Sequence, residues 1–364
     1  IARGLGSENV DYRLRRQDFR DASGDPAAPT LGCGIAELER ASAVLLVGSD
    51  VRREVPIIAH RIRQGAVRYG SKVASISTRA VNVMFPLVAS LASNGYGMAQ
   101  HVAAVLAAAL RAAGQSAPAS VAGALEGVTP TAEHERIAAM LTQGEVRVIL
   151  LGALAERHAA FAELRALAAA LAAVTGARLG YLPEGANAVG ASLAGATPHR
   201  GAGGRAVAKP GLAAIEMLNA RLRGYVLVGG IEAADVAQPA AAESALQGAE
   251  CVVALTPYAS EEQKANATVI LPVAAFAETS GTWVNVEGRW QSVPGAARPP
   301  GEARPAWKVL RVLGNLLGLT GFEYLSSEEV RDELQREVGE FAAGQVASTF
   351  NAGRLAALDA TREV

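Results

Sequence analysis

The sequence predicts an α/β fold of two doubly wound lobes with mostly parallel sheets. Short apolar runs alternate with amphipathic helical stretches along the first part of the 364 residues, and the alternation begins again near Gly211. A helix between two consecutive strands is the connection that a parallel sheet needs, so this alternation favours parallel strand pairing. The second start of the pattern indicates a second lobe.

In the first lobe, two apolar runs frame an amphipathic helix. Ala43–Val47 and Lys72–Ser77 are predicted to be buried strands, and Arg53–Tyr69 is predicted to be the helix between them. The apolar face assigned to this helix consists of Ile57, Ile58, Ile62 and Val67. Helices are also predicted over Met98–Ala113 and Ala132–Leu141, and a strand over Val146–Leu151 and a helix over Glu156–Val174 follow further along the chain, beyond residue 144.

The second lobe repeats the pattern with shorter strands. Its predicted elements are helices over Gly211–Leu222 and Trp307–Leu317 and strands over Tyr225–Val228, Cys251–Leu255 and Thr268–Leu271, and a further helix over Ser327–Val338 follows it. The proline-rich stretch Pro294–Pro305 is predicted to be a linker or a wrapping loop. We place the first lobe at residues 1–144, the second at 145–320 and a helical C-terminal tail at 321–364.

Composition narrows the choice of partners and cofactors. Lys and Arg number 34 and Asp and Glu number 35, a net charge of −1 that gives no support for a nucleic-acid partner. No apolar run is long enough to predict a direct membrane span. Two cysteines, Cys33 and Cys251, cannot form a disulfide framework or hold an iron–sulfur cluster by themselves. Because the chain starts at Ile1 and not at Met, we expect it to be part of a longer protein.

Two glycine turns follow predicted strands, Gly48–Asp50 in the first lobe and Gly229–Glu232 in the second. Open α/β sheets bind ligands where their strands end, and free backbone N–H groups at such turns suit a phosphate. Each turn, however, places an acid at the start of the next helix, and Asp50 and Glu232 can accept those hydrogen bonds themselves. Capped helices without a ligand are therefore favoured, and neither turn matches a nucleotide-binding glycine motif.

A β-hairpin, or a strand that extends from the mouth of a sheet, is predicted between Gly281 and Gly288, because side chains alternate in polarity from Thr282 to Glu287. The polar side chains of this region either line a cleft or lock the loop, and the lock is favoured. They are Glu278, Asn285, Glu287 and Arg289. The five histidines include no pair at a spacing of three or four residues, so no helix is predicted to carry a metal-binding pair.

Several segments resemble the molybdopterin oxidoreductase superfamily. They are Asn9–Phe19, Gly48–Pro56, Pro183–Ala191 and Ala267–Gln291. The last of these is quite specific, whereas the Gly48 turn alone would not be. The first two are most similar to the large iron–sulfur G subunit of NADH-quinone oxidoreductase, respiratory complex I. The resemblance extends from Asn9 to Leu317.

Departures from the superfamily pattern shape what the resemblance implies. Arg15–Asp18 stands where active members offer a metal ligand, and it contains no sulfur. Only Arg79 matches the Asp-Pro-Arg that the superfamily often carries, and Gly230–Ala233 replaces its second turn. The resemblance therefore implies a domain without a catalytic residue, metal ligand or bound cofactor. The candidate residues of a vestigial pterin cleft are Gly48, Ser49, Asp50, Arg79, Gly229, Gly230, Glu278, Gly281, Asn285 and Arg289.

By the same resemblance, the chain is expected to be a non-catalytic scaffold in the peripheral arm of complex I, which passes electrons from NADH to quinone. Iron–sulfur clusters are expected in polypeptide that precedes Ile1. The expected partners are other peripheral-arm subunits, on the cytoplasmic side of the bacterial inner membrane. Two alternatives stay open: a fragment of an active molybdopterin-dependent oxidoreductase similar to formate dehydrogenase, and an α/β module that binds a small anion.

Overall fold

The computed structural model describes residues 1–94, 97–339, 352, 353 and 355. The chain folds into two compact units, each assembled from separate stretches of sequence. The five-stranded unit contains Gln17–Val189, Asn285–Arg289 and the described residues after 351. The three-stranded unit contains Ile1–Arg16, Gly190–Val284 and a stretch that begins at Trp290.

The sheet of the five-stranded unit is parallel throughout. Its strands are β1 (Ala43–Val47), β2 (Lys72–Ser77), β3 (Ala89–Ala92), β4 (Arg147–Leu151) and β5 (Arg178–Tyr181). Their order across the sheet is β3-β2-β1-β4-β5, so the direction of winding reverses between β1 and β4. This is the doubly wound arrangement, and it confirms the predicted α/β fold with mostly parallel sheets.

Helices cover both faces of this sheet. They are α1 (Val51–Glu54), α2 (Pro56–Arg68), α3 (Gly97–Ala113), α4 (Ala119–Ala122), α5 (Ala132–Met140), α6 (Ala153–Glu156) and α7 (Phe161–Thr175). Successive residues of a strand point to opposite faces. Leu45 therefore lies in the core that holds α3, α5 and α7, whereas Leu46 lies in the core that holds α2.

Two helix predictions need correction. In α2 the buried face consists of Ile58, Ala59, Ile62 and Gly65, whereas Ile57 and Val67 are 67% and 59% exposed. Positions 58, 62 and 65 follow the helical repeat of i, i+4 and i+7, which Ile57 and Val67 do not share. The helix predicted over Glu156–Val174 is interrupted, because α6 ends at Glu156 and α7 begins at Phe161.

The boundary predicted near Gly144 differs from the division that the structure shows. β4 and β5 follow that position, yet they hydrogen-bond into the same sheet as β1. A cut at Gly144 would leave one side of the central strand β1 unpaired. The five-stranded unit instead continues to Val189.

The three-stranded unit has a smaller parallel sheet of sequential order, β6 (Gly224–Val228), β7 (Cys251–Thr256) and β8 (Val269–Pro272). Its helices are α9 (Ala214–Ala220), α10 (Pro239–Gln247), α11 (Glu261–Asn266), α12 (Ala306–Leu316) and α13 (Ser327–Val338), and α8 (Ala188–Leu193) joins it to the preceding chain. One sheet face packs into a core of seven buried residues that includes Tyr225 and Val252. Val226 and Val228, which alternate with Tyr225 along β6, are 54% and 61% exposed.

The start of the chain is built into the three-stranded unit. The Asn9 side chain accepts a hydrogen bond from the Leu212 N–H at 2.8 Å, and the hydroxyls of Tyr12 and Ser192 are 2.9 Å apart. Arg3 donates to the carbonyl of Gly195 at 2.8 Å. Residues before Gln17 are therefore fixed by contacts formed with residues 180 to 203 positions later in the sequence.

The predicted hairpin is confirmed, with strands β9 (Gly281–Val284) and β10 (Trp290–Val293) pairing antiparallel. Within the predicted C-terminal tail, α13 begins and ends at the predicted residues, whereas residues 340–351, 354 and 356–364 lie outside the described residues. Of the helices in the described part of the chain, none has the length and apolar character needed to cross a membrane.

Candidate functional site

The turn after β1 requires glycine at its first position. Gly48 has a φ of 64°, in the left-handed region, and its N–H donates to the Ile76 carbonyl at 2.8 Å. A Cβ on Gly48 would lie 2.4 Å from the backbone nitrogen of Ala155. Both the left-handed φ of Gly48 and the nearby backbone of Ala155 therefore exclude a side chain at this position.

A carboxylate from α1 occupies the polar groups of this turn. The buried Ser49 hydroxyl donates to Glu54 Oε2 at 2.7 Å, and the Asp50 N–H donates to Glu54 Oε1 at 3.0 Å. The prediction that Asp50 accepts these bonds is wrong, because its side chain makes no capping hydrogen bond. Glu54 does so instead, since it lies one helical turn further on and reaches back over the turn.

Asp50 is held by arginines. Its Oδ2 lies 3.5 Å from the Arg79 guanidinium and 3.7 Å from that of Arg53. The side chains of Arg79 and Arg53 are 61% and 78% exposed, so these ion pairs are at the surface and contribute little stability. Arg79, the residue that matches the superfamily pattern, thus lies beside the Gly48 turn.

The ligand position of a doubly wound sheet lies where the strand order reverses, which here is between β1 and β4. Backbone fills this position. Gly152 follows β4, and a Cβ there would lie 2.3 Å from Ser49 Cβ. The Leu154 N–H donates to the Gly48 carbonyl at 2.9 Å, so the two strand ends are fastened directly to each other.

In the three-stranded unit, the turn after β6 is filled in the same manner. Gly229 and Gly230 have φ values of 100° and 81°. The Asp235 carboxylate accepts the Glu232 N–H at 3.1 Å, and Glu232 Oε1 accepts the side-chain amide of Gln263 at 3.0 Å. Sequence reasoning placed the acid correctly at this turn but assigned the backbone bond to Glu232, whereas Asp235 makes it.

Hydrogen bonds within the hairpin tip, and from the tip to residues 31 and 35, hold it in place. Asn285 Oδ1 accepts the backbone N–H groups of Glu287 and Arg289, each at 3.0 Å. Glu287 Oε1 accepts the Ile35 N–H at 2.7 Å, and the Leu31 N–H donates to the Val286 carbonyl at 2.8 Å. The predicted loop lock is therefore present at Asn285 and Glu287, within the five-stranded unit.

Two other candidate residues near the hairpin, Glu278 and Gly281, belong to the local backbone structure. The Glu278 carboxylate accepts the Ala275 N–H at 3.0 Å. Gly281 begins β9 and is not among the glycines with positive φ, whereas Gly288 has a φ of 80°. Of the two glycines that bound the predicted hairpin, only the turn glycine Gly288 therefore requires left-handed backbone.

The segment expected to lack a metal ligand is tied to α7. Asp18 is 4% exposed, accepts the Ala162 N–H at 2.8 Å and pairs with Arg20. Burial acts to raise the pKa of Asp18, but these hydrogen bonds hold it below its usual value. The Gln17 amide donates to the Arg157 carbonyl at 3.1 Å. Asp18 thus stabilises the start of α7.

One cluster escaped sequence reasoning altogether. His101 on α3 and His134 on α5 are 33 positions apart, yet His101 Nδ1 lies 3.0 Å from His134 Nε2. Burial holds the pKa of both imidazoles below its ordinary value. Within the described residues there is no group of three or more His, Cys, Asp or Glu side chains placed to hold a metal ion.

Comparison with known proteins assigns the chain to a family. The sequence profile of molybdopterin oxidoreductases matches residues 1–316. This chain belongs to the molybdopterin oxidoreductase family. Among solved structures, acetylene hydratase from Pelobacter acetylenicus superimposes with a TM-score of 0.55 at 15% identity, covering 88% of this chain and 55% of that one. That likeness supports the same fold for this family member.

Curated relatives point to one branch of the family. The chain is 33% identical over 325 residues to the G subunit of NADH-quinone oxidoreductase from Streptomyces coelicolor, and 30% identical over 324 residues to the subunit of that name from Mycobacterium bovis. These matches cover 82% and 81% of this chain and 36% of each relative. The chain thus spans about a third of the length of these relatives.

The family name implies a phosphate-bearing pterin cofactor, and the glycine turns provide a test of fit. One backbone N–H in each turn already donates to a carboxylate, that of Glu54 at the first turn and that of Asp235 at the second, and these carboxylates repel phosphate. The space beside Gly48 is filled by Ala155 backbone, and a Cβ at Gly230 would meet the Gln263 amide at 2.4 Å. The residues of the two turns therefore do not fit a phosphate group.

Proposed function

We propose that this molybdopterin oxidoreductase family chain is a cofactor-free, non-catalytic scaffold within the G subunit of a complex I. In this role it serves electron transfer from NADH to quinone without carrying a redox centre. The observation that carries the proposal is the occupation of both glycine turns by carboxylates, Glu54 at the first and Asp235 at the second. The similarity to the G subunit of NADH-quinone oxidoreductase supplies the context.

Sulfur chemistry supports the same proposal. Burial and neighbouring acids raise the pKa of the Cys33 thiol to about 12, which disfavours the thiolate that binds metals. Asp18, at the position of the metal ligand in active members, is engaged with Arg20 and the start of α7. In this proposal the iron–sulfur clusters of the complete subunit lie in polypeptide outside this chain.

The proposed partners are other subunits of the peripheral arm, and the proposed location is the cytoplasmic side of a bacterial inner membrane. The two bacterial NADH-quinone oxidoreductase relatives support this context. The near-neutral charge of the chain supports protein partners over nucleic acid.

Metal content distinguishes the scaffold from an active molybdopterin enzyme, the alternative that family membership itself favours. Elemental mass spectrometry on the purified chain should find molybdenum and tungsten far below one atom per chain. A dye-linked assay should find no oxidation of NADH or formate. One metal per chain, or turnover in either assay, would establish the active-enzyme alternative.

Assembly tests the scaffold role directly. Deleting the corresponding region from a full-length G subunit should lower the amount of assembled complex on a native gel. A matched variant, Glu54→Gln, keeps a carbonyl oxygen that accepts the Asp50 N–H and gains an amide N–H that the Ser49 hydroxyl can accept, and it should assemble normally. Normal assembly of the deletion variant would overturn the scaffold proposal.

Phosphate binding tests the small-anion alternative. Titration calorimetry of the wild-type chain with inorganic phosphate should show no saturable heat, because the carboxylates of Glu54 and Asp235 occupy a backbone donor at each turn and repel phosphate. Stoichiometric phosphate binding that weakens in Gly229→Ala or Gly48→Ala variants would favour the anion-binding module instead.

A further inference from the structure

The imidazoles of His101 and His134 form a hydrogen-bonded chain with a fixed direction. A backbone N–H can only donate, and the Thr131 N–H lies 2.9 Å from His134 Nδ1. His134 Nδ1 is therefore an acceptor, and a neutral His134 carries its proton on Nε2. That proton points along the 3.0 Å contact to His101 Nδ1.

It follows that His101 carries its proton on Nε2. Both rings are neutral at pH 7, because burial lowers the pKa of His101 and His134 from an ordinary value of 6.5. With Nδ1 accepting from His134, a neutral His101 ring has only Nε2 left to hold its hydrogen. The contact from the Thr131 backbone to His134 and the contact between the two imidazoles together make His101 Nε2 a neutral hydrogen-bond donor.

A cleft of about 720 Å³ lies beside this pair. Its size is that of a small-molecule site. Ala104, Ala124 and Val128 contribute apolar surface to it, and His101 and His134 contribute imidazole edges. An apolar lining with a few fixed polar groups is typical of sites that orient an organic ligand.

The charges around the cleft select the kind of ligand. Glu126 lines it, and Glu133 on α5 acts on both imidazoles by raising their pKa against the larger effect of burial. On α3, Arg111 is paired with Glu135 at 3.5 Å. The imidazoles are neutral, so the local charge is negative and disfavours anions.

We propose that this cleft binds a small uncharged molecule through a carbonyl oxygen that accepts a hydrogen bond from His101 Nε2. The apolar body of the ligand lies against Ala104, Ala124 and Val128. A donor on the ligand, such as an amide N–H, is suited to the Glu126 carboxylate. The site belongs to the five-stranded unit alone and does not depend on the proposed scaffold function.

Two measurements on the full chain test the proposal, with benzamide as the probe. Long-range proton–nitrogen spectra of the histidine rings report which nitrogen carries the hydrogen, and His101 should show it on Nε2. Addition of benzamide should then shift His101 Nε2 saturably. Benzoate, which has nearly the same shape but a negative charge, should bind at least about tenfold more weakly.

Matched variants test whether benzamide binding depends on the His101 donor itself and not on the residues around it. His101→Phe removes the donor and should weaken benzamide binding about tenfold. His134→Gln keeps an acceptor for Thr131 and a donor for His101, so it should retain binding. His60→Phe replaces an exposed histidine on α2 and should change nothing. A proton on His101 Nδ1 in the wild-type chain, benzoate binding as tightly as benzamide, or no saturable shift with benzamide would each overturn the proposal.

Discussion

Gly48 and Gly70 are left-handed glycines in contrasting surroundings. Their φ values are 64° and 73°. A Cβ on Gly48 would collide with Ala155 backbone, whereas nothing lies within 4 Å of a Cβ on Gly70. An alanine at Gly70 measures the cost of the unfavourable φ alone, whereas an alanine at Gly48 adds the cost of a collision. The difference between the two variants therefore measures the collision.

We predict that Gly48→Ala lowers the free energy of unfolding much more than Gly70→Ala. The control variant should lose about 1–2 kcal/mol for the left-handed backbone alone. Gly48→Ala adds a backbone collision, which displaces α6 or the turn, and should lose several times more. Urea denaturation followed by circular dichroism measures both, and equal midpoints for the two variants would contradict the collision.

A second pair of glycines tests the hairpin. Gly288→Val should destabilise the hairpin, because a β-branched side chain is poorly accommodated at a φ of 80°. Gly281→Val should cost less, since Gly281 is in β9 and its Cβ would touch only the Trp283 ring edge, at 3.3 Å. Thermal unfolding measured by tryptophan fluorescence compares the variants, and a larger loss for Gly281→Val would show this assignment to be mistaken.

At the scale of elements, α5 depends on a histidine for its start. The third residue of a helix commonly uses Glu or Gln to accept the N-cap N–H, and here His134 accepts the Thr131 N–H instead. An imidazole is an acceptor only while it is neutral. Protonation of His134 therefore removes the acceptor for the Thr131 N–H, whereas a glutamine at this position would keep its acceptor at any pH.

We predict that stability falls as the pH drops below 6.5. Burial lowers the native pKa of His101 and His134, so the unfolded chain binds more protons in the window between that lowered pKa and 6.5. The stabilisation is complete above 6.5 and is lost as the pH falls through this window, by up to about 1.4 kcal/mol per pH unit for each group.

Variants isolate this contribution from other titrating groups. His134→Gln preserves the acceptor and should reduce the dependence of the urea midpoint on pH between 7 and 5 to the part that His101 contributes. His60→Gln, on the exposed side of α2, should leave the wild-type slope unchanged. A full wild-type slope in His134→Gln would place the acid sensitivity elsewhere.

Elements were more predictable than contacts. β1 and β2 could be predicted to the residue, because each is an apolar run on a buried strand. The choice of Glu54 over Asp50 as the acceptor could not, since both carboxylates are within reach in sequence and only side-chain geometry decides. The contact between His101 and His134 depends on how α3 packs against α5, and no local spacing encodes it.

At the scale of the whole molecule, the two units have unequal cores. The five-stranded sheet is buried by helices on both faces. The three-stranded sheet has a core of seven buried residues and leaves Val226 and Val228 exposed on its other face. Parallel sheets are ordinarily covered on both faces, so the three-stranded unit obtains less stability from apolar burial.

We predict that the three-stranded unit unfolds at a lower urea concentration than the five-stranded unit. All three tryptophans, Trp283, Trp290 and Trp307, belong to the three-stranded unit, so their fluorescence reports that unit alone. The fluorescence midpoint should precede the midpoint measured by circular dichroism, which reports both units. Coincident midpoints would mean that the chain unfolds in one cooperative step.

The contacts that Asn9 and Tyr12 make with Leu212 and Ser192 impose an order on biosynthesis. At roughly 5–20 residues per second, a ribosome needs about ten to forty seconds after residues 9–12 to add these partners. By then β5 has already been synthesised, so all strands of the five-stranded sheet have been made. Residues 9–12 therefore remain without these contacts throughout that interval, while the other unit already has every strand it needs to fold.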